Sequence, residues 1–194
     1  MKVLKDLEDE EHKEFLEECF RYDKGSGKLF WRTERPLEHF KNEQGSKLWH
    51  TRYAGREVSY LHKATGYLIV NLRGSLYLVH RVIAVLGGLL TSLNDKLTID
   101  HIDGDSVNNK LLNLRAVTHQ VNSKNKKMRS NNSTGVTGVC WDKKAGKYKA
   151  GVSKTVGGKR KKIHLGYFSD LSEADKAVAD WKALEGGYTE RHGK

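Results

Sequence analysis

Asp103-Gly104-Asp105 is a chain reversal, and what flanks it leaves little choice of local fold. Asp bonds its own backbone and Gly tolerates positive φ, so the tripeptide turns the chain. Before it, Leu97-Thr98-Ile99 is a short apolar, β-branched run and is expected to be a strand. After it, Asn113 to Val117 alternates enough to form a second short strand. Thr118 can cap a following helix, with Asn122 one turn inside it. The stretch therefore reads as strand, loop, strand, helix, with polar side chains converging from all of these elements.

Those side chains suit metal-assisted phosphodiester hydrolysis. Asp100 and the side-chain oxygen of Asn122 are hard oxygen ligands, suited to a Mg²⁺ or Mn²⁺ ion that keeps positions open for phosphate and water. His101 is the natural general base, because a free imidazole titrates near working pH. Asn113 is expected to fix the orientation of that imidazole. Asn109, in the loop, and His80 are accessory candidates, and Arg115 is a candidate DNA contact. Adjacent residues on a regular strand face opposite ways. Asp100 and His101 can therefore share a site only where the strand ends and bends.

Asp100-His101-Ile102-Asp103-Gly104-Asp105, followed by Asn108-Asn109, Asn113-Leu114-Arg115 and Asn122, closely resembles the HNH endonucleases, in particular the phage-borne and intron-borne homing group. The order and the intervals from His101 to Asn113 to Asn122 fit that family. Its last letter is Asn122 here rather than His, a departure the homing subgroup shares. The resemblance implies a ββα-metal unit, a histidine base and one divalent ion. It also implies hydrolysis that leaves a 3′-hydroxyl and a 5′-phosphate.

The remaining chain is compatible with several small basic modules. Its 194 residues are 37% hydrophobic and 30% charged, low for one large core. The net charge of +11 and pI near 9.6 point to a polyanionic partner. A membrane is not expected: the longest apolar candidate, residues 79–90, is broken by His80, Arg81 and a Gly pair. Cys19 and Cys140 cannot supply a four-ligand zinc site or a disulfide framework, so no zinc is expected. No secretory signal precedes the acidic start, and a cytoplasmic location is expected, the host cytoplasm if the gene is phage-borne.

Residues 6–22 read as an acidic amphipathic helix, and Lys28 to Arg32 as a strand. A polar stretch containing Pro36 runs to about Arg52. Residues 66–72 and 75–79 flank Arg73-Gly74, a hairpin signature. His80 opens an apolar helix that ends near Gly87-Gly88, and it either reaches the metal site or packs beside it. Residues 123–133 are polar and basic and read as a linker in which Lys124, Lys126 and Lys127 can track phosphates.

The C-terminal part has three strands, Gly138 to Trp141, Lys147 to Val152 and Lys161 to Phe168, then a helix capped by Ser172. Ala174, Ala177, Val178, Trp181 and Leu184 form one face of that helix. With Gly135 to Val139 at the front and Leu165-Gly166-Tyr167-Phe168 before the helix, this part resembles the AP2 DNA-binding domain over about residues 134–185. The resemblance implies a sheet lying in the major groove of double-stranded DNA. Lys147, Lys149, Arg160 and Lys162 are then candidate contacts, with Trp141, Tyr148 and His164 beside them. Strand register decides which of these face DNA.

The expected architecture is α+β. It comprises an N-terminal helix and small antiparallel sheet (1–79), a ββα-metal unit (80–127), a linker (128–133) and an AP2-like sheet and helix (134–188). The expected activity is metal-dependent DNA cleavage by a monomer or weak dimer. A monomer would nick one strand. The alternative is a non-catalytic, sequence-specific DNA-binding or regulatory protein.

Overall fold

Arg73 and Gly74 take positive φ, 49° and 82°, the conformation of a two-residue turn whose twist matches its strands. They join β4 (Tyr67–Leu72) to β5 (Ser75–Leu78), with Leu72 opposite Ser75 and Ile69 opposite Leu78. The computed structural model that carries this hairpin describes residues 9–124, 128, 131–186 and 188. The chain is mixed α+β, with small antiparallel sheets and a C-terminal three-stranded sheet backed by a helix. It divides into two compact units, Met1–Thr118 and His119–Lys194. No described helix is long and apolar enough to cross a membrane.

The first unit begins with α1 (Asp9–Cys19), β1 (Phe20–Asp23) and β2 (Lys28–Trp31), the two strands pairing antiparallel. The stretch before β3 (Leu61–His62) is not merely polar connection, because α2 (Glu43–Tyr53) forms within it. Asn42 caps that helix by accepting from the Gly45 N–H. The sequence hides α2 because none of its residues is buried and it lacks a strong apolar stripe. Trp49 nevertheless packs edge-on against Trp31, 5.1 Å between centroids. After β4 and β5 comes α3 (Val79–Leu86), buried over most of its length. Arg81 on α3 donates to the carbonyls of Leu93, Asp95 and Leu97 and so shapes the loop that leads to the next strand.

That strand is β6 (Thr98–His101), paired antiparallel with β7 (Leu114–Val117), so that Asp100 lies opposite Arg115 and His101 opposite Leu114. Ile99 and Leu114 enter one core with Leu16 and Phe20, Leu29 and Trp31, Val70 and Leu72, and the buried face of α3. The hairpin is therefore packed on the N-terminal elements rather than standing on a core of its own. Gly27, in the β1–β2 turn, marks how tightly. Its φ is +75°, and a Cβ there would lie 2.7 Å from the Lys110 backbone nitrogen.

The second unit opens with the short helix α4 (His119–Ser123). Its sheet has the order β10 (Lys159–Phe168), β9 (Lys147–Val156), β8 (Val139–Asp142), all antiparallel, and α5 (Leu171–Glu185) packs on one face. Val139, Ala150, Ala174 and Val178 form the small core. Asp170, not Ser172, caps α5: its carboxylate accepts from the Ser172 N–H at 2.7 Å. Leu184, expected on the buried face, is 89% exposed near the end of the helix. The expected linker, 128–133, lies partly outside the described residues.

Replacing Gly27 by Ala should cost about 2 kcal/mol or more, since strain at positive φ is joined by a clash with fixed backbone. Gly74→Ala, with nothing within 4 Å of the added Cβ, should cost only about 1 kcal/mol. Chemical denaturation of the full chain checks the order.

Candidate functional site

His101 ends β6 with its ring 5% exposed, and the imidazole Nε2 lies 2.9 Å from the side-chain oxygen of Asn109, itself 2% exposed. An amide oxygen only accepts, so Nε2 carries a hydrogen in this bond. The side chain seen bonding this ring is that of Asn109, whereas Asn113 was expected. The Asn109 main chain is held in turn by Tyr22 from β1, whose hydroxyl donates to the Asn109 carbonyl and accepts from the Leu111 N–H.

Asn113 holds the turn instead. Its side-chain oxygen accepts from the Asp103 N–H, and its amide nitrogen donates to the Asp103 carboxylate and the Asn108 carbonyl. The loop needs this because it must return within a few residues, and its polar backbone needs partners. Burial raises the Asp103 pKa, but hydrogen bonds from Asp105, Asn108 and Asn113 outweigh it and keep the carboxyl below its usual range. Ser106 adds a 2.6 Å bond to the Gly66 carbonyl, tying the same loop to the start of β4.

Asp100 is 7% exposed, and its Oδ2 accepts from both Nε and Nη2 of Arg115, at 2.9 and 2.8 Å. Arg115, expected as a DNA contact, is therefore engaged with Asp100. Cross-strand register puts the opposite charges side by side on one face of the hairpin. Ile99 and Leu114 turn the other way, into the core, and His101 stands at the end of the strand. Asn122, the other expected metal ligand, lies on α4 in the second unit.

His80, at the start of α3, is 6% exposed and sets its ring edge-on to His101, 5.0 Å between centroids. Tyr67 stands 5.0 Å from His80 and 6.0 Å from His101. Burial, then the neighbouring His101 and Arg81, push the His80 pKa down to about 3, so this ring is neutral at working pH. It packs against His101 on one side. Tyr22 carries no signal in the sequence, since only the packing of β1 beside the loop brings it near.

A hard divalent ion fits the chemistry of Asp100, a buried carboxylate that already faces a cation. Among the described residues no three of His, Cys, Asp or Glu gather in a metal-binding group. An ion at Asp100 would thus draw its other ligands from amide oxygen, water and phosphate.

In the second unit, register sorts the candidate DNA contacts. Tyr148, Ala150 and Val152 alternate toward α5, and Trp141, opposite Tyr148, shares that side with its ring edge-on to Tyr148 at 4.8 Å. Trp141 and Tyr148 are therefore not on the open face. Lys147, Lys149, Arg160, Lys162 and His164 are. A bulge between His164 and Gly166 shifts the alternation, so Tyr167 joins them, 5.0 Å from the His164 ring. Tyr167 donates to Asp142, and Arg160 to Ser153, both on that face. Lys124 is engaged elsewhere: its ammonium donates to the Gly186 carbonyl at the end of α5, where the helix dipole favours a cation. Lys126 and Lys127 lie outside the described residues.

Two measurements check this geometry. Asn109→Ala should destabilise the fold by about 1–3 kcal/mol, the penalty of an unpaired buried polar group. The His80 pKa is depressed on folding, so its contribution is complete above the unfolded value near 6.5 and is lost as pH falls from there toward about 3. Over that window stability should fall by about 1.4 kcal/mol per pH unit from this ring. A His80→Phe variant should lose that part of the slope in urea unfolding followed against pH.

Comparison with protein-family models, with curated proteins and with solved structures finds no match to this chain.

Proposed function

We propose that the chain is a metal-dependent endonuclease of the HNH type that hydrolyses phosphodiester bonds in double-stranded DNA, nicking one strand per encounter. The observation that carries this reading is the end of β6. There a buried imidazole hydrogen-bonded to a buried amide follows directly on a buried carboxylate already paired with the Arg115 guanidinium. A strand end built only for packing would have no use for two adjacent buried polar groups, each needing its own partner.

In this reading His101 Nδ1 takes a proton from water, while Nε2–H stays on Asn109. The water oxygen attacks phosphorus in line, and the bond to the 3′-oxygen breaks. That oxygen leaves with a proton from solvent as a 3′-hydroxyl, and the 5′-phosphate remains on the other fragment. A Mg²⁺ or Mn²⁺ held by Asp100 would neutralise charge on the phosphate and the leaving oxygen. Asn113 keeps the turn closed so that the base does not drift. Tyr67 and His80 keep bulk water from one side of the ring.

The second unit supplies DNA affinity in this proposal. Lys147, Lys149 and Lys162 are suited to phosphates, and Arg160 to a guanine edge. A non-catalytic DNA-binding protein would need only this face, and the tests separate the two.

Conversion of supercoiled plasmid to open circle should require Mg²⁺ or Mn²⁺, stop with EDTA, and fall by about 10²–10⁴ in His101→Ala. Tight binding with no cleavage under any of these metals would leave only the DNA-binding reading. Alanine at Lys149 should weaken binding across all sequences and reduce the salt slope by about one. Thiol alkylation gives an independent readout. Cys140 is exposed on the open face and should react at once unless DNA covers it. Burial pushes the Cys19 thiol up to about 12, so it should react only on unfolding.

A further inference from the structure

Asp100 and Arg115 are unequal partners. The Asp100 side chain is 9% exposed and that of Arg115 is 35% exposed. Both guanidinium hydrogen bonds land on Oδ2. A carboxylate this buried needs a compensating cation, because removing one partner of a buried pair leaves an uncompensated charge. The register of β6 against β7 supplies that cation before any ion arrives.

Resting on the endonuclease reading, we infer that Arg115 is a resident cation that holds the Asp100 carboxylate in place, and that it sets the protein's affinity for the divalent ion by competing for the same carboxylate. The guanidinium and the ion repel each other at Asp100, so ion binding works against the Arg115 pair. Arg115 can yield, because its side chain reaches solvent, whereas Asp100 is walled in. Arg115 is thus a positioning residue whose loss should tighten metal binding while weakening the metal-free fold. A residue serving only to pack the hairpin would weaken the fold and leave ion affinity unchanged.

The test is Mn²⁺ binding by the full chain without DNA, read from the spin-resonance signal of unbound Mn²⁺ and from the shift in melting temperature that Mn²⁺ causes. Arg115→Met should melt lower than wild type without Mn²⁺ and show a larger upward shift with it. Its dissociation constant should be about tenfold smaller, a modest share of the Coulomb energy between near charges at a protein surface. Arg115→Lys keeps the charge but loses the fork, and should stay near wild type; Arg115→Gln replaces the Met variant if that one does not fold. Asp100→Asn should abolish this binding in every background. If Asp100→Asn abolishes binding but neither Arg115→Met nor a folded Arg115→Gln binds more tightly than wild type, the inference about Arg115 is overturned and the metal reading stands. If Mn²⁺ binding ignores Asp100→Asn altogether, Asp100 is no ligand and both are overturned.

Discussion

Burying a carboxylate and an imidazole next to each other on one strand is costly unless each finds a partner, and the first unit is arranged around meeting that cost. Asp100 and His101 are adjacent at the end of β6, and each takes a partner of its own. Arg115 meets Asp100 across the ladder. Asn109 meets His101 from the loop, and Tyr22 fixes Asn109 from a strand far away in sequence. The N-terminal elements are therefore part of what holds the candidate base, and their core is continuous with the hairpin through Ile99 and Leu114.

The second unit obeys a simpler rule. A sheet with a helix on one side leaves its other side to solvent, and alternation along the strands decides which side chains lie there. The apolar positions of β9 alternate toward α5, which sends Lys147 and Lys149 the other way. One extra residue near Leu165 reverses the parity of the last strand's end and puts Tyr167 among the basic residues. On a chain of net charge +11, that leaves an open face suited to a polyanion.

Much of the secondary structure was legible because it follows from local chemistry. The Arg73-Gly74 and Asp103-Gly104 turns, the apolar α3 and the strands of the last sheet lie near where composition and periodicity put them. What was not legible depended on distant packing. The helix α2 is half-covered by aromatic contacts yet carries no strong apolar stripe, so no periodic signal announces it. Asn113 looks like a partner for His101 by analogy of motif, but its side chain bonds the turn, and the bond to the ring comes from Asn109. Tyr148 reads as a companion of the lysines until register turns it toward the helix.

The sequence by itself determined the inventory: an Asp-His pair beside a tight turn, asparagines at set intervals, and a basic sheet with alternating faces. Each of these rests on residue type and short-range spacing, which the chain carries wherever it folds. Tertiary structure alone decided the pairings. Arg115 faces Asp100, Asn109 takes the imidazole, His80 and Tyr67 wall it in, and Tyr22 buttresses the loop. Those choices depend on strand register and on how distant elements pack into one core. Both are set by the sum of many weak contacts that no short stretch of sequence contains.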